Sequence, residues 1–135
     1  MLAISAALFV LPATAQTTTP GRATVLALKA GDTTVNTGTS TRVFPVLTAG
    51  YEGVVIQDVI TKQSGTGAGT VQLQSSLDGT NWVNLGSAYT ITNVATQSAI
   101  FYVNNPVPVY LQLLVTGSGT ESILNTYKYV YRKHD

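Results

Sequence analysis

Apolar and polar residues alternate along much of the chain with a period of two. Val71, Leu73, Ser75 and Leu77 fall on one side of such a stretch, and Gln72, Gln74 and Ser76 on the other. Val109, Leu111, Leu113 and Val115 repeat the pattern against Tyr110, Gln112 and Thr116, with only Leu114 out of step. Successive side chains of a strand point to opposite faces, so alternation with one polar side predicts a half-buried antiparallel strand. Beyond residue 16 no segment sustains a helical period. Runs rich in Val, Ile, Thr and Tyr, bounded by Gly, Asn and Pro, predict strands at 23–30, 41–47, 53–61, 69–77, 82–85, 88–92, 98–103, 107–116 and 122–132. Pro106 and Pro108 flank the start of one strand, where a missing amide donor does little harm. So many short strands with short turns predict an all-β fold, an antiparallel β-sandwich of jelly-roll or immunoglobulin-like type.

The first residues break this pattern. Leu2 to Leu11 form an apolar run, Pro12 ends it, and Ala13-Thr14-Ala15 fits a signal-peptidase site before Gln16. No Lys or Arg precedes the run, the first being Arg22, and a secretory leader ordinarily carries positive charge there. The run is also too short to span a bilayer. Two readings follow. In the favoured one, residues 1–21 are an extended apolar arm with a Thr-rich linker, leading into a sandwich domain at 22–135. Leu2, Ile4, Leu8, Phe9 and Val10 are then candidate contacts with neighbouring subunits. In the other, residues 1–15 are a signal peptide.

Composition narrows the function. Of 135 residues, 44% are hydrophobic and only 10% charged, with Thr, Ser, Asn and Gln in place of the missing charges. Solitary soluble surfaces usually carry more charge, so this balance suits faces covered by neighbours. A net charge of +1 gives no electrostatic case for nucleic acid. The basic tail of Lys128, Arg132, Lys133 and His134 reads as a solvated chain end. The absence of cysteine excludes disulfides, thiolate metal sites and cysteine nucleophiles.

Candidate chemistry is thin. His134 lies beside the C-terminal residue, where a catalytic triad would lack rigid support. Glu52 and Asp58 sit an even number of positions apart near one strand, which separates them by about 20 Å, too far for a glycosidase carboxyl pair. No calcium loop appears. The Gly-rich stretches Ser64 to Gly69 and Thr116 to Thr120 lack the Gly-Lys-Ser/Thr of a phosphate loop and read as flexible or positive-φ turns. The chain is therefore expected to be non-enzymatic, with no cofactor. Tyr127, Tyr129 and Tyr131 alternate along the last strand, and the stripe predicts core or a subunit interface ahead of a stacking platform.

One phrase carries a family likeness. Gly69-Thr70-Val71-Gln72-Leu73-Gln74-Ser75-Ser76-Leu77-Asp78-Gly79-Thr80-Asn81-Trp82-Val83-Asn84-Leu85 resembles a stretch of small phage virion proteins, in which a Gly-Thr-hydrophobic strand leads through Ser-x-Asp-Gly-x-x-Trp into a short strand. Val109 to Thr120 looks like their later hairpin. The sialidase Asp-box, Ser-x-Asp-x-Gly-x-x-Trp, fits less well, because Gly79 follows Asp78 directly. From the residues, Asp78-Gly79 predicts a three- to five-residue hairpin turn that fixes register, with Trp82 plugging one end of the core.

The resemblance implies a virion structural protein of the capsid decoration or cement type from a tailed phage. Its expected partners are the major capsid protein or other virion proteins and further copies of itself. Its expected location is the virion. The alternatives are a secreted carbohydrate-binding or adhesin-like module, cut after Ala15 and presenting an aromatic such as Tyr51, Tyr89 or Trp82, or an extracellular filament subunit.

Overall fold

A computed structural model describes residues 24–45, 51–104 and 107–133 of the chain. These form nine strands: β1 (Thr24–Val35), β2 (Thr39–Pro45), β3 (Tyr51–Ser64), β4 (Gly69–Ser76), β5 (Val83–Asn84), β6 (Tyr89–Ile91), β7 (Thr96–Asn104), β8 (Tyr110–Gly117) and β9 (Ser122–Lys133). Each matches a strand expected from the alternation, with its ends displaced by a few residues. Among the described residues, no helix is long and apolar enough to cross a membrane.

The strands make two antiparallel sheets. One has the order β1-β9-β3-β7; the other runs β2-β8-β4-β5, with β6 also paired to β4. First pairs with last, β1 with β9, then β2 with β8, β3 with β7, and β4 with β5 and β6. This is a long hairpin rolled up on itself, and rolling it creates the remaining β9-β3 and β8-β4 pairings. The order is that of a jelly roll, which resolves the choice left open by the strand pattern.

The core lies between the sheets and follows the alternation. Phe44, Val71, Leu73, Leu111, Leu113 and Val115 enter it from the five-stranded sheet, and Val54, Ile56, Ile60, Ile123, Tyr127, Tyr129 and Tyr131 from the other. Two apolar positions depart from the expected faces, and the polar Gln72, Ser76 and Gln112, expected outside, are largely covered. Leu77, placed inward with Val71 and Leu73, is 79% exposed, because β4 ends at Ser76 and the chain turns away. Val109 is likewise exposed, since β8 begins only at Tyr110.

The Gly-rich stretches are close-packed rather than loose. Gly65 has φ +70°, and a Cβ there would lie 1.9 Å from the Thr120 carbonyl oxygen. Gly69, at φ +140°, would put a Cβ 2.1 Å from the Thr116 carbonyl. The Ser118 amide donates to the Ala68 carbonyl at 3.1 Å. Glycine is therefore required here for the approach of two backbones as well as for its own dihedral angles.

Candidate interaction surface

The Asp78 hairpin is a self-contained polar knot. Asp78 Oδ1 accepts from the amides of Asn81 at 2.7 Å and Thr80 at 2.8 Å and from the Ser76 hydroxyl at 2.9 Å. Asp78 Oδ2 accepts from Asn81 Nδ2 at 2.7 Å. The Asn81 amide, then its side chain, then the Thr80 amide and the Ser76 hydroxyl hold this carboxyl well below the usual carboxylate range. Gly79 supplies φ +74°. The connection runs from Leu77 to Trp82 and is longer than the expected turn, with pairing resumed at Ser75↔Val83.

Trp82 is half-buried and directly precedes β5. The core cluster is built without it, so it is not the plug the sequence suggests. Leu85, Tyr89, Phe101 and Val107 are the partly buried residues packed against the cluster. A depression of about 270 Å³ lies beside this loop, lined by Ser75, Ser76, Leu77, Asp78, Asn81, Val83 and Pro108.

A second polar group sits inside the sandwich. Register places Asp58 opposite Tyr127, and Asn125 opposite both Asp32 and Ile60, so these side chains share the inward face of the four-stranded sheet. From the facing sheet, Arg42 donates through Nε to Asp32 Oδ2 at 2.7 Å and through Nη2 to Asp32 Oδ1, a bidentate pair. Its guanidinium also lies 5.6 Å from the centre of the Tyr127 ring. Asp58 is wholly buried, and neither carboxyl oxygen has a hydrogen-bond partner. Burial first, and then the charge of Asp32, pushes Asp58 up to about 7. Burial and the same two carboxylates push the Tyr127 hydroxyl upward as well, with Arg42 opposing. A carboxyl with a pKa near neutral suits general acid-base work, but this one is sealed from solvent. Its titration acts on stability.

The tyrosine stripe belongs to the same interior. Tyr127, Tyr129 and Tyr131 are 0%, 6% and 2% exposed. Phe44 meets Tyr127 and Tyr129 edge-on at 5.8 and 5.5 Å, and Tyr129 meets Tyr131 at 5.5 Å. Of the two expected roles for the stripe, core is the one found. As a subunit interface these three residues are corrected, because packing within the chain already covers them. Leu2, Ile4, Leu8, Phe9 and Val10 lie outside the described residues, as do the side chain of Tyr51 and His134. Tyr89 is half-buried and donates to Gln97 Oε1 at 3.2 Å.

Exposed apolar side chains gather in two places, the first beside the Asp78 hairpin, where Leu77, Val83 and Tyr110 are exposed, and the second on a sheet face. On the outer face of the four-stranded sheet, Val130 of β9, Val55 of β3 and Tyr102 of β7 form one row, and Lys128, Gln57 and Ile100 form the next. Tyr102 is 68% and Ile100 49% exposed. Two shallow depressions of about 280 and 270 Å³ adjoin here and share Val55, Tyr102 and Val130. β7 is the last strand of its sheet, so one edge of its backbone is unpaired within the sheet beside this patch. The sequence signal was Ala99-Ile100-Phe101-Tyr102-Val103, apolar on both faces of one strand. Val54-Val55-Ile56 repeats it. A strand needs only one apolar face to build a core.

No protein-family model matches this chain, and no curated protein matches it. Nine solved chains match in structure. Among them is dimeric latent PorU from Porphyromonas gingivalis, at 18% identity and a TM-score of 0.40, covering 78% of this chain and 11% of that one. The chain thus spans about a ninth of that protein, and an overlap of this quality carries no functional argument.

Proposed function

We propose that the chain is a non-enzymatic virion structural protein, a decoration or cement protein that binds the capsid lattice of a tailed phage. The observation that carries this reading is the apolar outer face of the four-stranded sheet, with Tyr102 and Ile100 exposed on an edge strand. Exposed apolar patches on a polar-rimmed surface mark contact with other proteins. The low charge suits a surface that spends its life covered. Jelly rolls recur in viral capsid domains, an analogy that supports the reading at the level of fold alone. The face would sit against the shell or a neighbouring copy, and the mechanism is binding without bond making.

The test uses purified chain and capsid shells lacking decoration. Co-sedimentation and a raised shell melting temperature are expected, both lost in Ile100→Asp with Tyr102→Asp. Wild-type chain that leaves the shells bare would sink the proposal.

A second reading rests on the depression beside the Asp78 hairpin, where Asp78, Asn81 and Ser76 stand next to exposed Leu77. Jelly rolls also include lectin domains, so this loop is the place a secreted carbohydrate-binding module would use. Glycan-array binding lost in Asn81→Ala would favour it over the capsid reading.

A further inference from the structure

The outer face of the four-stranded sheet has a segment of matching chemistry in the same chain. Leu2 to Leu11 is apolar and uncharged. Extended, those ten residues cover about 33 Å, long enough to run the length of β7, a strand of 9 residues at the edge of this face. The two adjoining depressions at Val55, Tyr102 and Val130 offer successive seats for the side chains of an extended segment.

The chain joins this sheet at Thr24, paired with Tyr131, one step from the row in which Val25 pairs with Val130, Val130 with Val55, and Val55 with Tyr102. A reversal at Pro20-Gly21, the turn signal ahead of β1, would lay Gln16 to Thr19 over the patch of the same molecule. The apolar run would begin roughly 30 Å beyond the turn and overshoot. Residues 12–23 fully extended reach about 40 Å. A domain of this size is about 35 Å across. The linker therefore matches the step from one domain to the next.

We propose that residues 2–11 of one copy pack on the outer face of the four-stranded sheet of a second copy, over Val55, Ile100, Tyr102 and Val130. This rests on the assembly reading above and names the partner of that face as the chain itself. The occupant is an extended apolar segment, and the contact forms without capsid.

The chain has no cysteine, so disulfide trapping is clean. Full-length Phe9→Cys and Tyr102→Cys chains are mixed and mildly oxidised with diamide, which takes up the two electrons lost when two thiols become one disulfide. A disulfide-linked heterodimer is expected, enriched at least tenfold over the same mixture with Tyr110→Cys, which stands on the other sheet. The mass in solution, measured by light scattering, is expected to be oligomeric for wild type and monomeric both for the chain lacking residues 1–16 and for Ile100→Asp with Tyr102→Asp. Circular dichroism checks that both still fold. Wild-type mass retained without residues 1–16 would overturn the proposal. So would an intrachain disulfide in a dilute double variant, or a native N-terminus at Gln16. Copies that exchange arms yet leave shells bare overturn the capsid reading alone.

Discussion

The two sheets treat their faces in opposite ways. The five-stranded sheet sends Phe44, Val71, Leu73, Leu111, Leu113 and Val115 inward, and its outer face carries a row of hydrogen-bonded amides, Gln72 and Gln112 largely covered, beside the exposed Val43. There Gln112 Nε2 donates to Gln74 Oε1 at 2.8 Å, and Gln74 Nε2 donates to Asn84 Oδ1 at 2.9 Å. Gln72 fills the break between β5 and β6, donating to the carbonyls of Leu73, Leu85 and Gly86 at 2.7, 3.4 and 3.3 Å. The four-stranded sheet breaks the apolar-in, polar-out pattern on both sides. Asp58 and Asn125 are buried on its inner face, while Ile100 and Tyr102 are exposed on its outer one. Departures from local consistency cost stability and gather where a protein does something besides fold. The difference points to the four-stranded sheet as the place to look for function.

The largest expected effect tests the five-stranded half. Phe44→Ala removes a ring that both sheets pack around, and should cost about 3–5 kcal/mol in denaturant unfolding. A cost below about 1 kcal/mol would mean that the two sheets do not share one core.

The next effect tests the inverted inner face. Asp58 has its folded pKa raised from 3.8 to about 7. The folded state therefore holds a proton that the unfolded state releases, so stability falls as pH rises from about 4 through 7. The loss is on the order of 4 kcal/mol when complete. Asp58→Asn should remove this slope and be the more stable chain at pH 8. Wild-type stability that climbs between pH 4 and 7 would contradict the buried, neutral acid. Asp78 acts in the other direction and a lower window. Its depressed carboxyl contributes stability above its unfolded value that is lost as pH falls.

A smaller effect is expected from the polar outer face. Gln112→Ala breaks the amide row and should cost about 1 kcal/mol by thermal unfolding. The smallest comes from the apolar outer face. Ile100→Thr with Tyr102→Thr should change stability by less than about 0.5 kcal/mol, while lowering self-association in sedimentation. A large loss of stability would show that these side chains serve the fold rather than a contact.

Every described strand was legible in the sequence, because a period of two survives whatever the strands later pair with. The hairpin at Asp78-Gly79 was legible for the same local reason, and only its length and the place of Trp82 were misjudged. The burial of Tyr127, Tyr129 and Tyr131 was half legible: alternation puts three rings on one face but does not say what covers that face. The inverted sheet was not legible. Asp58 lies in Val-Ile-Gln-Asp-Val-Ile, where nothing local marks it as inward, and its neighbours Asp32 and Tyr127 come from two other strands.

The sequence by itself determined the class of fold, the strand positions, the glycine turns and the apolar run at 2–11, since each follows from backbone and side-chain preferences over a few residues. Only the tertiary structure decided the jelly-roll order, which acids are buried, and which apolar residues are left outside. Those depend on pairing strands about a hundred residues apart, as β1 pairs with β9, and no local preference specifies such a partner.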